Sequence, residues 1–73
     1  MKVKDLINVM DDCYITIFDR NTGDCYGEVP AELMGLDENE DISIIPSLDI
    51  FEDDEVDFAT INSSMCLCIF IAK

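Results

Sequence analysis

The cysteines are the residues of this sequence whose spacing points most directly to a particular chemistry. The chain has four of them, Cys13, Cys25, Cys66 and Cys68, of which the last two form a C-x-C pair. On a strand such a pair shares one face at a separation of roughly 6.7 Å, which is compatible with a soft metal such as zinc. Structural zinc sites use two close cysteine pairs, however, and small buried apolar residues explain these cysteines better. We therefore expect free thiols and no bound metal.

Carboxylates are the most abundant reactive groups, and calcium is the ion that they suggest. An EF-hand register starting at Asp37 puts Ile42 at the sixth position and Leu48 at the twelfth, where the motif requires Gly and Glu. A register starting at Asp53 fails in the same way. We expect no dedicated calcium site and no other cofactor.

The sequence lacks the residue types that enzymes usually use for catalysis. The chain contains no histidine, so neither a cysteine nor a serine has an imidazole base. Lys2, Lys4 and Lys73 lie in terminal segments, which are poor places for a desolvated lysine. The carboxylates cluster in polar segments that offer no contrast of environment between an acid and a base. We expect that the protein is not an enzyme.

Net charge is the strongest signal in the composition. Seventeen acidic residues face four basic ones, giving a formal charge of -13, and Arg20 is the only cation between Asp5 and Ala72. Most carboxylates therefore lack a partner within the chain. Direct binding to nucleic acid or to an anionic membrane is disfavoured, because such contacts require Lys and Arg. The unpaired carboxylates must be solvated, bind cations or meet a basic surface on another molecule, and a basic nucleic-acid-binding protein is the partner that we expect.

Two acidic segments are the candidate contact sites. Carboxylates at i and i+2 on an extended chain lie about 6.6 Å apart, close to the separation of successive phosphates, which is on the order of 6–7 Å. Such a row can imitate a nucleic-acid backbone. The predicted primary contact is the 52–57 segment, with Glu52, Asp53, Asp54, Glu55 and Asp57, and the secondary contact is the 37–41 loop, with Asp37, Glu38, Glu40 and Asp41. An aromatic anchor is expected from Tyr14, Tyr26 or Phe58, because charge alone rarely supplies hot-spot affinity.

The elements that position these groups begin with a helix and a hairpin. Apolar residues at i, i+3, i+4 and i+7 predict an amphipathic N-terminal helix that ends before two acids. The stripe consists of Val3, Leu6, Ile7 and Met10, and the acids are Asp11 and Asp12. Residues 13–19 and 24–29 read as two strands joined by a turn at 20–23, where Gly23 is free to adopt positive φ.

The remaining sequence predicts a small sheet within one α+β domain spanning residues 1–73. We expect an N-terminal helix packed on an antiparallel sheet of three to five strands, with a short second helix that begins after Pro30. The last strand is apolar on both faces, so one face needs the second helix, a hairpin or another protein chain to cover it. The second helix is expected at 31–36, strands at 42–45, 48–51, 58–61 and 65–72 with a bend or edge at Pro46, and a turn at 62–64.

Several stretches carry a resemblance to a known group of proteins. The opening MKVKDLINVM, the strand CYITIFD, the turn NTGD and the closing apolar strand resemble short uncharacterised proteins of prophages and mobile elements in Gram-positive bacteria. The resemblance covers residues 1–29 and the last ten, whereas residues 52–64 depart from it. Within that setting, small acidic proteins resemble phage inhibitors of host defence, such as anti-CRISPR proteins that block the DNA-binding groove of an effector. The resemblance implies a class of role and no site residue.

Three functional readings follow from these observations. The first is a non-enzymatic inhibitor in the cytoplasm of a host bacterium, which binds the basic nucleic-acid-binding surface of a defence protein such as a CRISPR effector nuclease. The second is a small assembly module that pairs through its apolar last strand, as a homodimer or with another protein. The third is a cysteine-bound metal module, and against all three stands an acidic surface that serves only solubility.

Overall fold

The computed structural model describes residues 1–9, 12–37 and 39–72. Within these ranges the chain forms one α-helix, five strands and two short 3₁₀ helices. In chain order they are α1 (Val3–Val9), β1 (Tyr14–Asp19), β2 (Cys25–Gly27), the first 3₁₀ helix (Ala31–Met34), β3 (Ser43–Ile44), the second 3₁₀ helix (Leu48–Phe51), β4 (Val56–Ile61) and β5 (Cys66–Ile71). The predicted α+β class and the N-terminal helix are confirmed.

The strands form a single mixed sheet in the order β3-β2-β1-β5-β4. β1 pairs antiparallel with β2, and β4 pairs antiparallel with β5. The pairs β1–β5 and β2–β3 are parallel. The prediction of an antiparallel sheet was therefore wrong. The two hairpins of the sheet join strands that are neighbours in the sequence, so these strands pair antiparallel. The two most apolar strands, β1 and β5, meet at the centre of the sheet, and the hydrophobic pattern does not determine their relative direction.

One face of the sheet is covered by α1 and the second 3₁₀ helix. The Asp5 carboxylate accepts a hydrogen bond from the Lys2 backbone N–H at 3.0 Å, which satisfies an otherwise unpaired donor at the start of α1. The buried residues on this side come from the helix, from the central strands and from the second 3₁₀ helix. They are Val3, Ile17, Leu48, Phe51, Leu67, Ile69 and Ile71.

The opposite face, called here the open face, is covered only in part. It carries the alternate residues of β1, β2 and β5 and part of β4, namely Tyr14, Thr16, Phe18, Cys25, Gly27, Phe58, Thr60, Cys66, Cys68 and Phe70. The first 3₁₀ helix lies over one end of it, where the Thr16 hydroxyl donates to the Met34 sulfur at 2.9 Å. Gly27 makes room for that methionine, since a Cβ at this position would lie 2.3 Å from the Met34 methyl carbon.

Two predicted elements differ from the observed ones. The helix predicted at 31–36 is the shorter 3₁₀ helix Ala31–Met34, because Gly35 takes a left-handed conformation with φ of 75° and ends it. The strand predicted at 48–51 is also a 3₁₀ helix, and the Ser47 hydroxyl caps it by accepting from the Asp49 N–H. The short strand before Pro46 lies at the edge of the sheet, as predicted.

A β-bulge in β4 places its apolar residues on both faces of the sheet. Val56 pairs with Ile71, but Phe58 pairs with Phe70, so Asp57 is an additional residue in the ladder. Because one added residue exchanges the faces of a strand, Val56 packs toward the buried core while Phe58 lies on the open face.

The predicted turns at 20–23 and 62–64 are confirmed. Gly23 has φ of 80°, and the Asn62 side chain accepts from the backbone N–H groups of Ser64 and Cys66. Met10 and Asp11, at the predicted end of the helix, lie outside the described residues. Across the described ranges, no helix has the length and apolar character needed to cross a membrane.

Candidate acidic and aromatic surface

The 52–57 segment forms the ion pairs that the structure contains within its described residues. The Lys4 Nζ atom lies 3.8 Å from Asp53 Oδ1, and the Lys2 Nζ atom lies 3.6 Å from Glu55 Oε1. Arg20 pairs with Asp57, the residue that the bulge adds to β4. The three described cationic side chains are therefore concentrated on the segment that the sequence favoured as the primary contact.

Glu55 has a second partner in the N-terminal ammonium group. The Met1 nitrogen lies 3.1 Å from the Glu55 carboxylate. This hydrogen bond and the positive charge of the ammonium, with a smaller effect from Lys2, lower the pKa of Glu55. The carboxylate is consequently held in its charged form by local partners.

The same segment also has a role in holding α1. The backbone carbonyl of Asp54 accepts from the Val3 N–H at 2.9 Å, and that of Glu52 accepts from the Lys4 N–H at 3.1 Å. Free N–H groups at the start of a helix require such acceptors. Asp54 is half-buried, whereas Glu52 and Asp53 are exposed. The 52–57 segment thus joins the helix to the sheet as well as carrying charge.

The 37–41 loop has a different electrostatic environment. Asp37, Glu40 and Asp41 are exposed, and none of them takes part in an ion pair within the ranges that the structure describes. Glu38, the fourth acid predicted here, lies outside those ranges. The loop follows the first 3₁₀ helix, and its Glu40 lines a cleft with open-face residues of β1, β2 and β5, so that carboxylate lies beside the uncovered part of the sheet.

Three phenylalanines form an aromatic cluster on the open face. The Phe70 ring centroid lies 5.5 Å from that of Phe18, in an edge-to-face arrangement, and 5.1 Å from that of Phe58. Phe58 remains 53% exposed at the outer strand. Of the three predicted aromatic anchors, Phe58 is therefore the one that belongs to this aromatic cluster.

The other two predicted anchors lie elsewhere. Tyr26 is on the helix side of the sheet, and its ring centroid is 5.1 Å from that of Phe51. Tyr14 is exposed at the start of β1, where it lines a separate cleft with Glu28 and Asp49. The structure does not bring the three aromatic residues together.

A cleft of about 260 Å³ opens between the aromatic cluster and the 37–41 loop. Strand residues form its floor, and the segment after the first 3₁₀ helix forms its rim. Its lining residues are Thr16, Phe18, Cys25, Leu36, Glu40, Cys68 and Phe70. Sequence reasoning missed this cleft, although the alternation of Cys66, Cys68 and Phe70 indicated a second apolar face in need of a cover.

The four cysteines carry free thiols. Burial, with a smaller effect from the Glu40 charge, raises the pKa of Cys25 to about 11. Burial followed by the influence of Cys66 raises the pKa of Cys68 to about 11. Cys66 is buried under the first 3₁₀ helix, with its sulfur 3.2 Å from the Thr16 hydroxyl oxygen. Both cleft thiols are therefore neutral near physiological pH.

No family model matches the chain, and neither a curated protein nor a solved structure shows significant similarity to it.

Proposed function

We propose that this protein is a non-enzymatic inhibitor, of the kind carried by phages and mobile elements, that binds the basic nucleic-acid-binding surface of a bacterial defence protein. The observation that carries the proposal is the unequal use of cations. In the described part of the chain, Lys2, Lys4 and Arg20 all pair with the 52–57 segment, whereas Asp37, Glu40 and Asp41 are exposed and lie in no ion pair. The 37–41 loop is thus the stronger anionic surface.

This distribution supports a proposal in which the order of the two contact segments is the reverse of the one expected from the sequence. The carboxylates of Asp53, Glu55 and Asp57 already have cations within 4 Å, so their charge is partly offset before any partner arrives. The 37–41 loop becomes the primary contact, and the 52–57 segment supports it. An unpaired anionic loop on a molecule of charge -13 attracts a basic groove over long range and discriminates against acidic partners.

The aromatic cluster supplies binding affinity that the charged residues alone do not provide. Rim charges mainly affect the rate of association, whereas buried aromatic anchors provide most of the affinity at an interface. Phe18 and Phe70 of this cluster line the same cleft as Glu40, so a single contact can bury aromatic surface and neutralise that carboxylate together. A CRISPR effector nuclease is one example of such a target, because the resemblance implies a class of role and no particular target.

The experiment starts with capture of partners from a bacterial lysate at low ionic strength and their elution by salt. A retained protein, or a purified CRISPR effector, is then bound to a fluorescently labelled DNA duplex, and displacement of the duplex by this protein is followed by fluorescence anisotropy. We expect displacement that weakens steeply as salt rises, because the contact is electrostatic. Retention of proteins without a nucleic-acid-binding surface, or no displacement, would contradict the proposal.

Two triple variants with the same change in net charge locate the contact. Asp37→Asn/Glu40→Gln/Asp41→Asn should raise the inhibitory concentration by about tenfold or more, which corresponds to about 1.4 kcal/mol. Asp53→Asn/Glu55→Gln/Asp57→Asn serves as the matched control and should have a smaller effect on inhibition. Equal losses would show that only total charge matters, and a larger loss in the control would return the primary contact to the 52–57 segment.

The open face also favours a second candidate, an assembly module. β5 is hydrogen-bonded on both sides, by β1 and β4, so its edges are occupied and only its face is open to another chain. Self-association would then bury the three phenylalanines against a second copy. Light scattering over a range of protein concentrations tests this candidate, since a dimer would double the measured mass and Phe58→Ser would restore the monomer.

A further inference from the structure

The cleft on the open face combines aromatic walls with a carboxylate at its rim. Phe18 and Phe70 are half-buried and present ring surface to it, while Leu36 and the neutral thiols of Cys25 and Cys68 add apolar surface. Glu40 is the charged residue among the described lining residues. The volume of about 260 Å³ falls below the range of about 300–1,000 Å³ usual for small-molecule pockets. It suits a single inserted side chain.

The chemistry of the lining selects the type of side chain. An anionic group would meet Glu40 together with Asp37 and Asp41 of the same loop and would be repelled. A purely apolar group would cover the Glu40 carboxylate without giving it a partner, which costs desolvation energy. A long cationic side chain satisfies both parts of the cleft, because its aliphatic stem contacts apolar surface while its charged end reaches the carboxylate.

Arginine fits these requirements better than lysine. Its guanidinium group is planar, stacks on aromatic rings and can donate two parallel hydrogen bonds to one carboxylate. A ring and a carboxylate at the same cleft, as Phe70 and Glu40 provide, match those two properties. Lysine offers a compact and strongly hydrated charge that gains less from the ring.

We propose that this cleft receives an arginine side chain from the basic surface of the partner, with its guanidinium group placed between the Phe18–Phe70 pair and the Glu40 carboxylate. The inference rests on the proposed function, because it assigns one residue type of the partner to one site on this chain. It makes Glu40 a specificity-determining residue, distinct in role from Asp37 and Asp41.

The test uses a short probe in place of the whole partner. The peptide N-acetyl-Gly-Arg-Gly-amide is titrated into the ¹⁵N-labelled full chain, and the same peptide with citrulline in place of arginine is titrated in parallel. Citrulline keeps the shape and removes the charge. We expect chemical-shift changes at the amides of Phe18, Cys68 and Phe70 with the arginine peptide and much smaller ones with citrulline. Equal responses to both peptides, or changes centred on the 52–57 segment, overturn the inference.

Variants identify the site. Glu40→Gln should weaken binding of the arginine peptide by about tenfold, because it removes the charge-assisted hydrogen bonds. Cys68→Met fills the cleft without changing charge and should abolish the shift changes, whereas Cys13→Met, the same replacement in the other cleft, should leave the affinity within about twofold. Retained affinity in a folded Cys68→Met or Glu40→Gln variant overturns the inference. Glu40 is exposed, so Glu40→Gln remains decisive if Cys68→Met does not fold.

The two proposals fail separately. If the arginine peptide does not perturb the cleft but the 37–41 variant still loses inhibition of DNA binding, the inference is wrong and the proposed function stands. If the peptide binds at the cleft but no nucleic-acid-binding protein is displaced from its duplex, the site is real and the proposed function is wrong.

Discussion

Met65 has a backbone conformation that its side chain disfavours. Its φ of 62° lies in the left-handed region, in the turn between β4 and β5, and its side chain is 64% exposed. A residue with a Cβ pays roughly 1–2 kcal/mol for this conformation, while glycine adopts it freely but loses more entropy on folding. We expect Met65→Gly to increase the free energy of unfolding by about 0.5–1 kcal/mol, measured by urea denaturation.

Met65→Ala is the control for that substitution. It removes the exposed side chain but keeps the Cβ, so it should leave the stability near that of the parent chain. A gain of equal size in both variants would mean that loss of the exposed methionine side chain, and not the backbone conformation, is responsible.

The two cleft thiols predict a pH dependence of stability. The pKa values of Cys25 and Cys68 rise from 9.0 to about 11 on folding, mainly through burial. Between pH 9.0 and about 11 the thiols of the unfolded chain have already lost protons that the folded chain retains. The free energy of unfolding must therefore fall as pH rises through this range, whereas below pH 9.0 the contribution of the thiols to stability is fully present. The check is urea denaturation under reducing conditions from pH 7 to 11.

A double variant isolates the thiols from other groups that titrate in alkali. Cys25→Ser/Cys68→Ser should show a shallower decline of stability above pH 9 than the parent chain, because serine does not ionise there. An unchanged decline would assign the effect to other residues and would contradict the burial of the thiols as its cause.

At the level of elements, one close contact holds the first 3₁₀ helix against the β4–β5 turn. The Ser64 hydroxyl donates to the Gly35 carbonyl, and a Cβ on Gly35 would lie 2.3 Å from the Ser64 Cβ. We expect Gly35→Ala to destabilise the protein by about 2 kcal/mol or more, because it adds a steric clash to the cost of φ at 75°. This destabilisation is measured as the decrease in the free energy of unfolding.

Gly23 supplies the matched control for this contact. Its φ is 80°, but a Cβ there would meet nothing within 4 Å, so Gly23→Ala reports the conformational cost alone. Gly35→Ala should be the more harmful of the two, and Ser64→Gly should remove most of the difference. Equal costs for the two alanine substitutions would argue against a close contact between Gly35 and Ser64.

Elements governed by neighbouring residues were the predictable ones. The helix stripe, the hairpin around Gly23 and the turn at Asn62 depend on spacing and turn chemistry. The hairpin and the turn are confirmed, and so is the stripe as far as Ile7, since Met10 lies outside the described residues. The parallel pairing of β1 with β5 depends on burial of two distant strands, which pattern cannot orient. The segment at 48–51 reads as a strand by its apolar residues, but its Ser47 cap and the packing of Leu48 and Phe51 favour a 3₁₀ helix.

The same distinction applies to the candidate site. The acidic residues and their excess over cations are visible in the sequence, so both segments could be named from it. The sequence could not predict which segment pairs with the cations, because Lys2 and Arg20 reach Glu55 and Asp57 only when the helix and the β1–β2 hairpin have folded. The cleft depends on the placement of Leu36 and Glu40 beside residues of three strands, which is likewise a tertiary feature.

For the whole molecule, unbalanced charge predicts an unusual response to salt. A net charge of -13 produces repulsion among carboxylates that the few ion pairs do not offset, and added ions screen it. We expect the midpoint of thermal unfolding to rise when sodium chloride increases from about 10 mM to about 500 mM, over which the Debye length falls from about 30 Å to below 8 Å.

The 37–41 triple variant is the control for the salt response. With three unpaired carboxylates neutralised, it should begin with a higher midpoint at low salt and gain less from added sodium chloride. A midpoint that falls with salt in the parent chain would mean that its exposed ion pairs outweigh the repulsion.

The parallel pair at the centre of the sheet has a consequence for how the chain acquires its structure. Residues 14–19 pair with residues 66–71, so β1 and β5 cannot pair until the ribosome has synthesised nearly the whole of this sequence. Until then the emerging half carries β1 with an unsatisfied edge, which is a hazard for aggregation. Distant pairing of this kind slows folding, and the high density of negative charge along the nascent polypeptide keeps such intermediates apart while they wait.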